Sequence, residues 1–466
     1  MKKRLNYFDL IVVAFGAMIG WGWVVSTGNW IQTGGVIGTI IGFVVAGIMI
    51  FFVGLVYSEL TSAMPVTGGE RVFSLKAFGP TGSFVCTWFL ILSYIGVVCY
   101  EAVSLPTILQ YVFPSIGNNI LYSVAGFDVS LWWLLISIFF SVFIGILNII
   151  GIKKAAVFQK ILTVFIALVG AILVVTSIIK GNNSITNTAF SSNDVSTNVF
   201  GILKIVSVAP FFLFGFDVIP QTAGEINVPH KKIGRVMLLS IILAVLFYCG
   251  VAFSVGRIFN FEEINNSIQS SGLVTADAME KAFNNRTMAI VLILGGLCGI
   301  VTSWNSFLIG GSRAIYSMAD ANLIPGRFKR LHKKYDSPYL AIILVTIISI
   351  GASFFGKNVL VWIVDAATFA CSIAYFIVSF SFLILRRKEP NMNRPFKVKH
   401  PKIVGILAIV LSLSIVLLYL IPGTGTSLTW QEWIIVGIWT LTGFIFYLVS
   451  KFKNKTKFGY SLSDDC

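Results

Sequence analysis

The sequence predicts an all-α integral membrane protein with twelve transmembrane helices. Ten form a 5+5 inverted repeat with discontinuous helices 1 and 6, and helices 11 and 12 follow. Three observations lead there. The chain is 56% hydrophobic and 11% charged, with a mean hydropathy of +0.89, against roughly 25% charged residues in soluble domains. Apolar runs of about 20 residues, the length that crosses a hydrocarbon core, recur along the whole chain. Two of these runs carry flexible interruptions where a spanning helix should be continuous.

The runs stand near residues 8–31, 36–63, 83–113, 130–150, 156–179, 199–224, 234–256, 287–316, 338–356, 359–385, 403–421 and 432–450. The first follows Lys2, Lys3 and Arg4 as a leader peptide's apolar region does. It is too long for one, lacks a small-residue cleavage site and holds the first interruption, so it reads as a span. Only the loop 257–286, with Glu262, Glu263, Asp277 and Glu280, is expected to form a short extramembrane helix of its own. The Ser-, Thr- and Asn-rich loop 181–198 reads as solvated connection. A net charge of +15 takes its meaning from placement. With the N-terminus inside, 28 of the 34 Lys and Arg fall in cytoplasmic stretches, which puts both termini of a multi-pass cell-membrane protein in the cytoplasm. The basic loops 327–334 and 386–402 and the tail Lys451, Lys453, Lys455 and Lys457 then serve topology and lipid contact, and no nucleic-acid role is expected.

Gly16-Ala17-Met18-Ile19-Gly20-Trp21-Gly22 interrupts the first run. Phe211-Phe212-Leu213-Phe214-Gly215-Phe216-Asp217, followed by Pro220, interrupts the sixth. Unpaired backbone groups are costly in hydrocarbon, so irregular backbone survives at that depth only where it lines a cavity or is buried in protein. Five segments separate the interruptions, and an odd number inverts the second unit relative to the first. The chain divides into a first repeat over 1–180, a second over 181–385, and helices 11 and 12 with a basic tail over 386–466. Half-helices of this kind hold the substrates of secondary transporters, N-termini toward an anionic group and freed carbonyls toward cations. Gly20, Trp21 and Gly22 offer consecutive N–H groups where a carboxylate fits. Carbonyls around Leu213, Phe214 and Gly215 suit an ammonium. Close helix packing by small residues is the plainer reading of the same glycines.

Four stretches are similar to the amino acid–polyamine–organocation (APC) superfamily permeases, which adopt the leucine-transporter fold. They are Gly16 to Gly22, Gly68-Gly69-Glu70 through Ala77-Phe78-Gly79-Pro80, Phe211 to Pro229, and Ser312-Arg313-Ala314-Ile315-Tyr316-Ser317-Met318-Ala319 through Ile324-Pro325. The resemblance covers most of the chain and implies uptake or exchange of amino acids and related amines. It also implies that Phe211 closes over the substrate, an ordinary apolar Phe being the alternative. Trp21 departs from the pattern, which has a small residue between the two glycines; its ring either points away from the site or shrinks it. Glu225-Ile226-Asn227-Val228-Pro229 departs too, with Asn one place early.

The resemblance also bears on energy coupling. Many proton-coupled or sodium-independent members carry a lysine midway along helix 5, at the position of Ile166 here. Without it, the stretch containing Gly299, Thr302 and Ser303 is similar to a sodium-binding stretch that pairs with carbonyls of Gly16 and Ile19. Five oxygens without a fixed positive charge suit such an ion. Na+ is therefore the expected coupling ion, with proton coupling and uncoupled exchange as alternatives and no other cofactor. The alternative for Thr302 and Ser303 is back-bonding to carbonyls of their own helix.

Acidic residues within spans are functional candidates. Asp217 is expected to cap the freed N–H groups of the half-helix after the second interruption, with proton coupling as its other role. Glu101 has three readings: it meets a cationic substrate group, pairs with Lys204, or stays protonated as a donor. Asp365 is placed at an outer gate. Glu59 and Glu225 are expected to form inner-gate ion pairs with Arg71, Arg235 or Arg313. Enzyme chemistry has little to work with, since His230, His332 and His400 lie in basic loops and the six cysteines show no metal or disulfide spacing. The sequence thus reads as a sodium-coupled permease for a small or neutral amino acid, in the lipid bilayer and of undetermined oligomeric state. A transporter of an organic amine or polyamine is the first rival, favoured if Glu101 faces the cavity; a channel or sensor is the second.

Overall fold

Helix 1 breaks where its glycines predict. The structure is a computed structural model, and it describes residues 2–181, 188–422, 426–453 and 458–460; the tail residues Lys455, Lys457 and Cys466 lie outside these. Helix α1 (Tyr7–Met18) begins at a capping box between Asn6 and Asp9. It ends at Ile19, whose φ of −104° and ψ of 81° leave the helical region. The short α2 (Gly22–Val25) then leads into α3 (Thr27–Ala63). Helix α3 turns sharply at Gly35, where φ is 74° and a Cβ would lie 2.4 Å from the Ala189 carbonyl oxygen. Only glycine tolerates both. The first two apolar runs are therefore joined by a single left-handed residue.

Helix α4 (Gly69–Val112) bends likewise at Gly79, just before Pro80, which separates the Glu70 end from the third predicted span. An antiparallel hairpin of β1 (Ile120–Val124) and β2 (Phe127–Ser130) follows, which the apolar scan passes over. Its turn residues Ala125 and Gly126 both have positive φ, the geometry of a two-residue hairpin loop. Then come α5 (Leu131–Ile149), α6 (Ile152–Lys180), α7 (Val195–Leu213), α8 (Val218–Gln221) and α9 (His230–Ile258). The loop 257–286 folds into two short helices, α10 (Phe261–Ser270) and α11 (Val274–Phe283), where one was expected. The remaining helices are α12 (Arg286–Asp320), α13 (Tyr339–Ser353), α14 (Gly356–Lys388), α15 (Pro401–Leu420) and α16 (Trp430–Lys453).

Among the described residues ten helices are long and apolar enough to cross a membrane, and α1 and α13 are shorter apolar helices. The loop 181–198 is not plain solvated connection in its described part. Thr188 is buried and the Ala189 carbonyl accepts the Ile37 N–H at 2.9 Å; residues 182–187 lie outside the described set.

Helix α3 packs on α7 and α9, and α4 packs on α12, α13 and α14. Small residues let α3 approach closely: a Cβ on Gly42, Gly47 or Gly54 would stand 2.5–2.6 Å from Ile205, Val245 or Ile241. Polar side chains tie the core. Gln159 donates to the Val12 carbonyl (3.2 Å) and to Ser306 (2.6 Å), and accepts from Asn305, whose own carbonyl accepts from Asn148. That chain links α1, α5, α6 and α12.

The end of the molecule that holds the N-terminal segment carries buried and half-buried ion pairs. Glu225 meets Arg313 at 2.8 Å with both side chains buried. Leu5 pairs with Ile226 as an isolated strand bridge, and Arg4 reaches Asp336 at 3.1 Å. Glu59 does not bond Arg71, Arg235 or Arg313 as expected. It bonds Arg386 (2.6 Å) and Arg394 (3.1 Å), because the loop after α14 folds back under α3 and the Val398 N–H also reaches Glu59.

Candidate functional site

The two interruptions touch. A Cβ on Gly215, whose φ is 128°, would lie 2.6 Å from the Ala17 side chain. Around them a small cavity of ≈ 40 Å³ is lined by residues of both interruptions and of α4, α9, α12 and α14. Of the expected substrate residues, Gly20, Trp21, Gly22, Glu101, Phe211 and Phe214 line it, and Leu213 and Gly215 lie behind it.

Trp21 is buried and its ring swings onto α12, where Gly296 leaves room: a Cβ there would meet the ring at 2.1 Å. Trp21 is thus a wall, packed away from the centre. Gly22 faces Phe212, whose ring would stand 2.2 Å from an added Cβ. Phe212 belongs to an aromatic group with Trp30, Phe43 and Tyr248, while Phe211 meets Tyr100 edge to face.

Several lining residues were not expected from the sequence. Tyr248 donates to the Met18 carbonyl at 2.8 Å and so satisfies a backbone group at the end of α1. Tyr100, Phe212, Phe307 and Thr368 complete the wall. A polar hydroxyl inside an apolar run was the one signal for Tyr248.

Asp217 sits at the second interruption but does not cap the half-helix that follows: its side chain makes no bond to the N–H groups of α8 and turns back to the break itself. It is fully buried, its Oδ1 accepts the Gly215 N–H at 3.0 Å, and its Oδ2 accepts the Tyr94 hydroxyl at 2.8 Å. The Gly215 carbonyl accepts the Val218 N–H at 3.2 Å, so it is already engaged.

Glu101 faces the cavity. It is 3% exposed, its Oε1 lies 3.0 Å from where a Gly20 Cβ would be, and its Oε2 has no hydrogen-bond partner. Pairing with Lys204 is ruled out by position: Lys204 is exposed and lines a separate groove with Trp30 and Thr33. Asp365 lies outside the cavity lining, against Glu432 of α16.

The expected cation residues also meet. Gly299 abuts the Ile19 carbonyl oxygen, 2.8 Å from an ideal Cβ, and Gly16 faces Thr302 and the Thr163 hydroxyl. The Thr302 hydroxyl donates to the Gly299 carbonyl at 3.0 Å, the back-bond anticipated as the alternative. Thr163 keeps a buried hydroxyl without a partner. Ser303 lines the cavity beside Glu101. Ile166 is buried and supplies no cation. Among the described residues no group of three His, Cys, Asp or Glu is placed to hold a metal ion.

The "Amino acid permease" family model matches residues 5–445. The chain belongs to this family. Its members transport, and this permease is accordingly a transporter of the APC superfamily and not an enzyme. Among curated relatives it is similar to the branched-chain amino acid permease BcaP of Bacillus subtilis (strain 168), 24% identical over 97% of this chain and 94% of the relative. It is similar to the methylthioribose transporter of the same organism, 23% identical over 98% and 95%. It is also similar to that organism's aspartate-proton symporter, 24% identical over 89% and 79%. The permease is a membrane protein with a small-molecule amino acid substrate class at the family level. Relatives of nearly equal identity differ in what their names say they carry, so the substrate must be argued from the cavity.

Proposed function

We propose that this permease is a secondary active transporter that moves an amino acid or closely related amine across the cell membrane by alternating access, with both termini cytoplasmic. The convergence of both interruptions on one cavity carries this reading. The substrate carboxylate is held by the first N–H groups after the helix 1 break, at Gly20 to Gly22, since such groups lack intrahelical acceptors. Its ammonium is held toward Glu101 and the aromatic rings of Tyr100, Tyr248 and Phe211, with Phe211 as the closing ring. The pairing of α3 with α7 and α9, and of α4 and α5 with α12 and α13, supports the inverted 5+5 arrangement of the leucine-transporter fold.

Sodium is the proposed co-substrate. The closeness of Gly16 to Thr302 and Thr163, and of Gly299 to the Ile19 carbonyl, supports this reading, with the oxygens of Gly16, Ile19, Gly299, Thr302 and Ser303 as proposed ligands and the partnerless Thr163 hydroxyl as a further one suited to a hard cation. The Thr302 back-bond uses its proton and leaves its lone pairs. Uptake of radiolabelled amino acids into proteoliposomes under a sodium gradient, lost in Thr302→Ala, is the expected result. Uptake driven by a proton gradient alone would overturn sodium coupling and turn attention to Glu101, in line with the name of the aspartate-proton symporter relative.

Glu101 favours a second reading within the same site. A carboxylate beside Gly20 repels a substrate carboxylate unless a cationic group lies between them, so substrates carrying an exposed ammonium, amines included, gain most. Glu101→Gln is expected to raise the KM for such a substrate roughly 10- to 100-fold, the worth of a hydrogen bond to a charged group. An unchanged KM would leave the small neutral amino acids as the substrate class.

A further inference from the structure

Below the second interruption, on the Glu225–Arg313 side, the interior holds polar atoms that the substrate cavity does not use. Glu70 is fully buried and its Oε2 accepts from the Gln221 amide. Its Oε1, the Gln221 Oε1 and the Tyr57 hydroxyl are buried without hydrogen-bond partners. These groups are neighbours. The start of α4 is pressed onto α8, with the Gly68 N–H donating to the Gln221 carbonyl at 3.3 Å and Gly69 against Pro220. The Tyr57 ring packs 5.4 Å from both Phe216 and Tyr375, against the second interruption.

Among the described residues neither Glu70 nor Asp217 has an ion-pair partner. Two arginines on this side of the molecule have other partners: Arg313 bonds Glu225, and Arg71 Nε bonds Ser317 at 2.5 Å. A buried carboxylate without a counter-charge is costly, and the two orphan oxygens of Glu70 and Gln221 are acceptors only. The Gln221 amide must turn its oxygen away from the carboxylate that its nitrogen bonds. A water could donate to these oxygens but would leave the charge uncompensated; a small cation completes both requirements.

We propose that Glu70, Gln221 and Tyr57 form a second cation site, separate from the oxygens around Gly16 and Thr302, that takes a small monovalent cation: an alkali ion or the ammonium group of a substrate. It joins the base of α4 to α8, the two elements that must part for the cavity to open on the Arg313 side, so a bound cation holds that side shut. The site does not depend on which ion drives uptake.

The test is equilibrium binding of radioactive sodium to the full-length protein in detergent, with potassium and methylammonium chloride as competitors. The Thr302→Ala background removes the other candidate site. In that background sodium is expected to bind saturably, and Glu70→Gln or Tyr57→Phe to weaken binding at least tenfold. Displacement by potassium alone assigns the site to alkali ions, and displacement by methylammonium assigns it to ammonium groups. Absence of saturable sodium binding in that background, or superposable isotherms with and without Glu70, would overturn the proposal. Should Glu70→Gln fail to fold, Gln221→Leu keeps the carboxyl and removes the orphan oxygen; it is expected to show the same loss, and unchanged binding would count against the site. An infrared carboxylic-acid band that vanishes in Glu70→Gln but is unmoved by cations would also overturn it, since Glu70 would then be a neutral donor.

Discussion

Gly22 and Gly296 shape the cavity by what they leave out. Each gives its volume to an aromatic ring, Phe212 and Trp21 respectively, so the walls are rings seated on backbone. Gly22→Ala is expected to push Phe212 into the cavity and weaken substrate binding at least tenfold while leaving thermal stability near wild type; equilibrium binding and a melting curve separate the two. Gly215→Ala is a harsher change, because φ of 128° and the Ala17 contact both forbid a Cβ. Strain of about 1–3 kcal/mol plus a steric clash should lower the melting temperature as well as abolish uptake. The glycine interruptions were legible in sequence because flexible residues are conspicuous in an apolar run. Phe212, Tyr100 and Tyr248 were not, since one aromatic ring among the chain's 40 Phe and 14 Tyr carries no mark of which way it faces. Glu101 was legible as a candidate but not in its placement, since only the fold puts it in the cavity and Lys204 in a separate groove.

At the scale of elements, long-range ion pairs decide how the helices are clamped. Arg313→Ala leaves Glu225 buried and unpaired, which is expected to cost about 3–5 kcal/mol. It should also favour opening on that side, read as faster thiol labelling of a cysteine placed at Thr67. Labelling at the wild-type rate would mean that the pair is not a gate. Glu59→Gln removes the acceptor that Arg386 and Arg394 share with the Val398 N–H. It should loosen the loop 389–400, seen as faster proteolysis there. The partners of Glu59 could not be read from sequence because they lie more than 300 positions away. The bends at Gly35 and Gly79 were invisible for a different reason: one residue with positive φ turns a helix without any polar interval. The hairpin at 120–130 was missed because its strands are short and lie between two spans.

For the whole molecule, basic-residue placement predicts that reporters fused to the two ends report the same, cytoplasmic side; opposite sides would contradict the topology and the inverted repeat with it. Composition and apolar runs made the membrane class plain, and the two interruptions read from sequence are the segments that meet at the cavity. In the proposed account coupling and substrate turn on a few oxygens and one carboxyl, which sequence spacing does not resolve. The claim on which the rest depends is that the two interrupted helices form one substrate site served by an ion gradient. It is tested most directly by uptake of a panel of radiolabelled amino acids and amines into proteoliposomes under an imposed sodium gradient, with Gly22→Ala alongside wild type. The account predicts accumulation of at least one substrate above its external concentration, abolished by dissipating the gradient and by Gly22→Ala. Equilibration without accumulation under sodium and proton gradients alike, or accumulation untouched by Gly22→Ala, would contradict it.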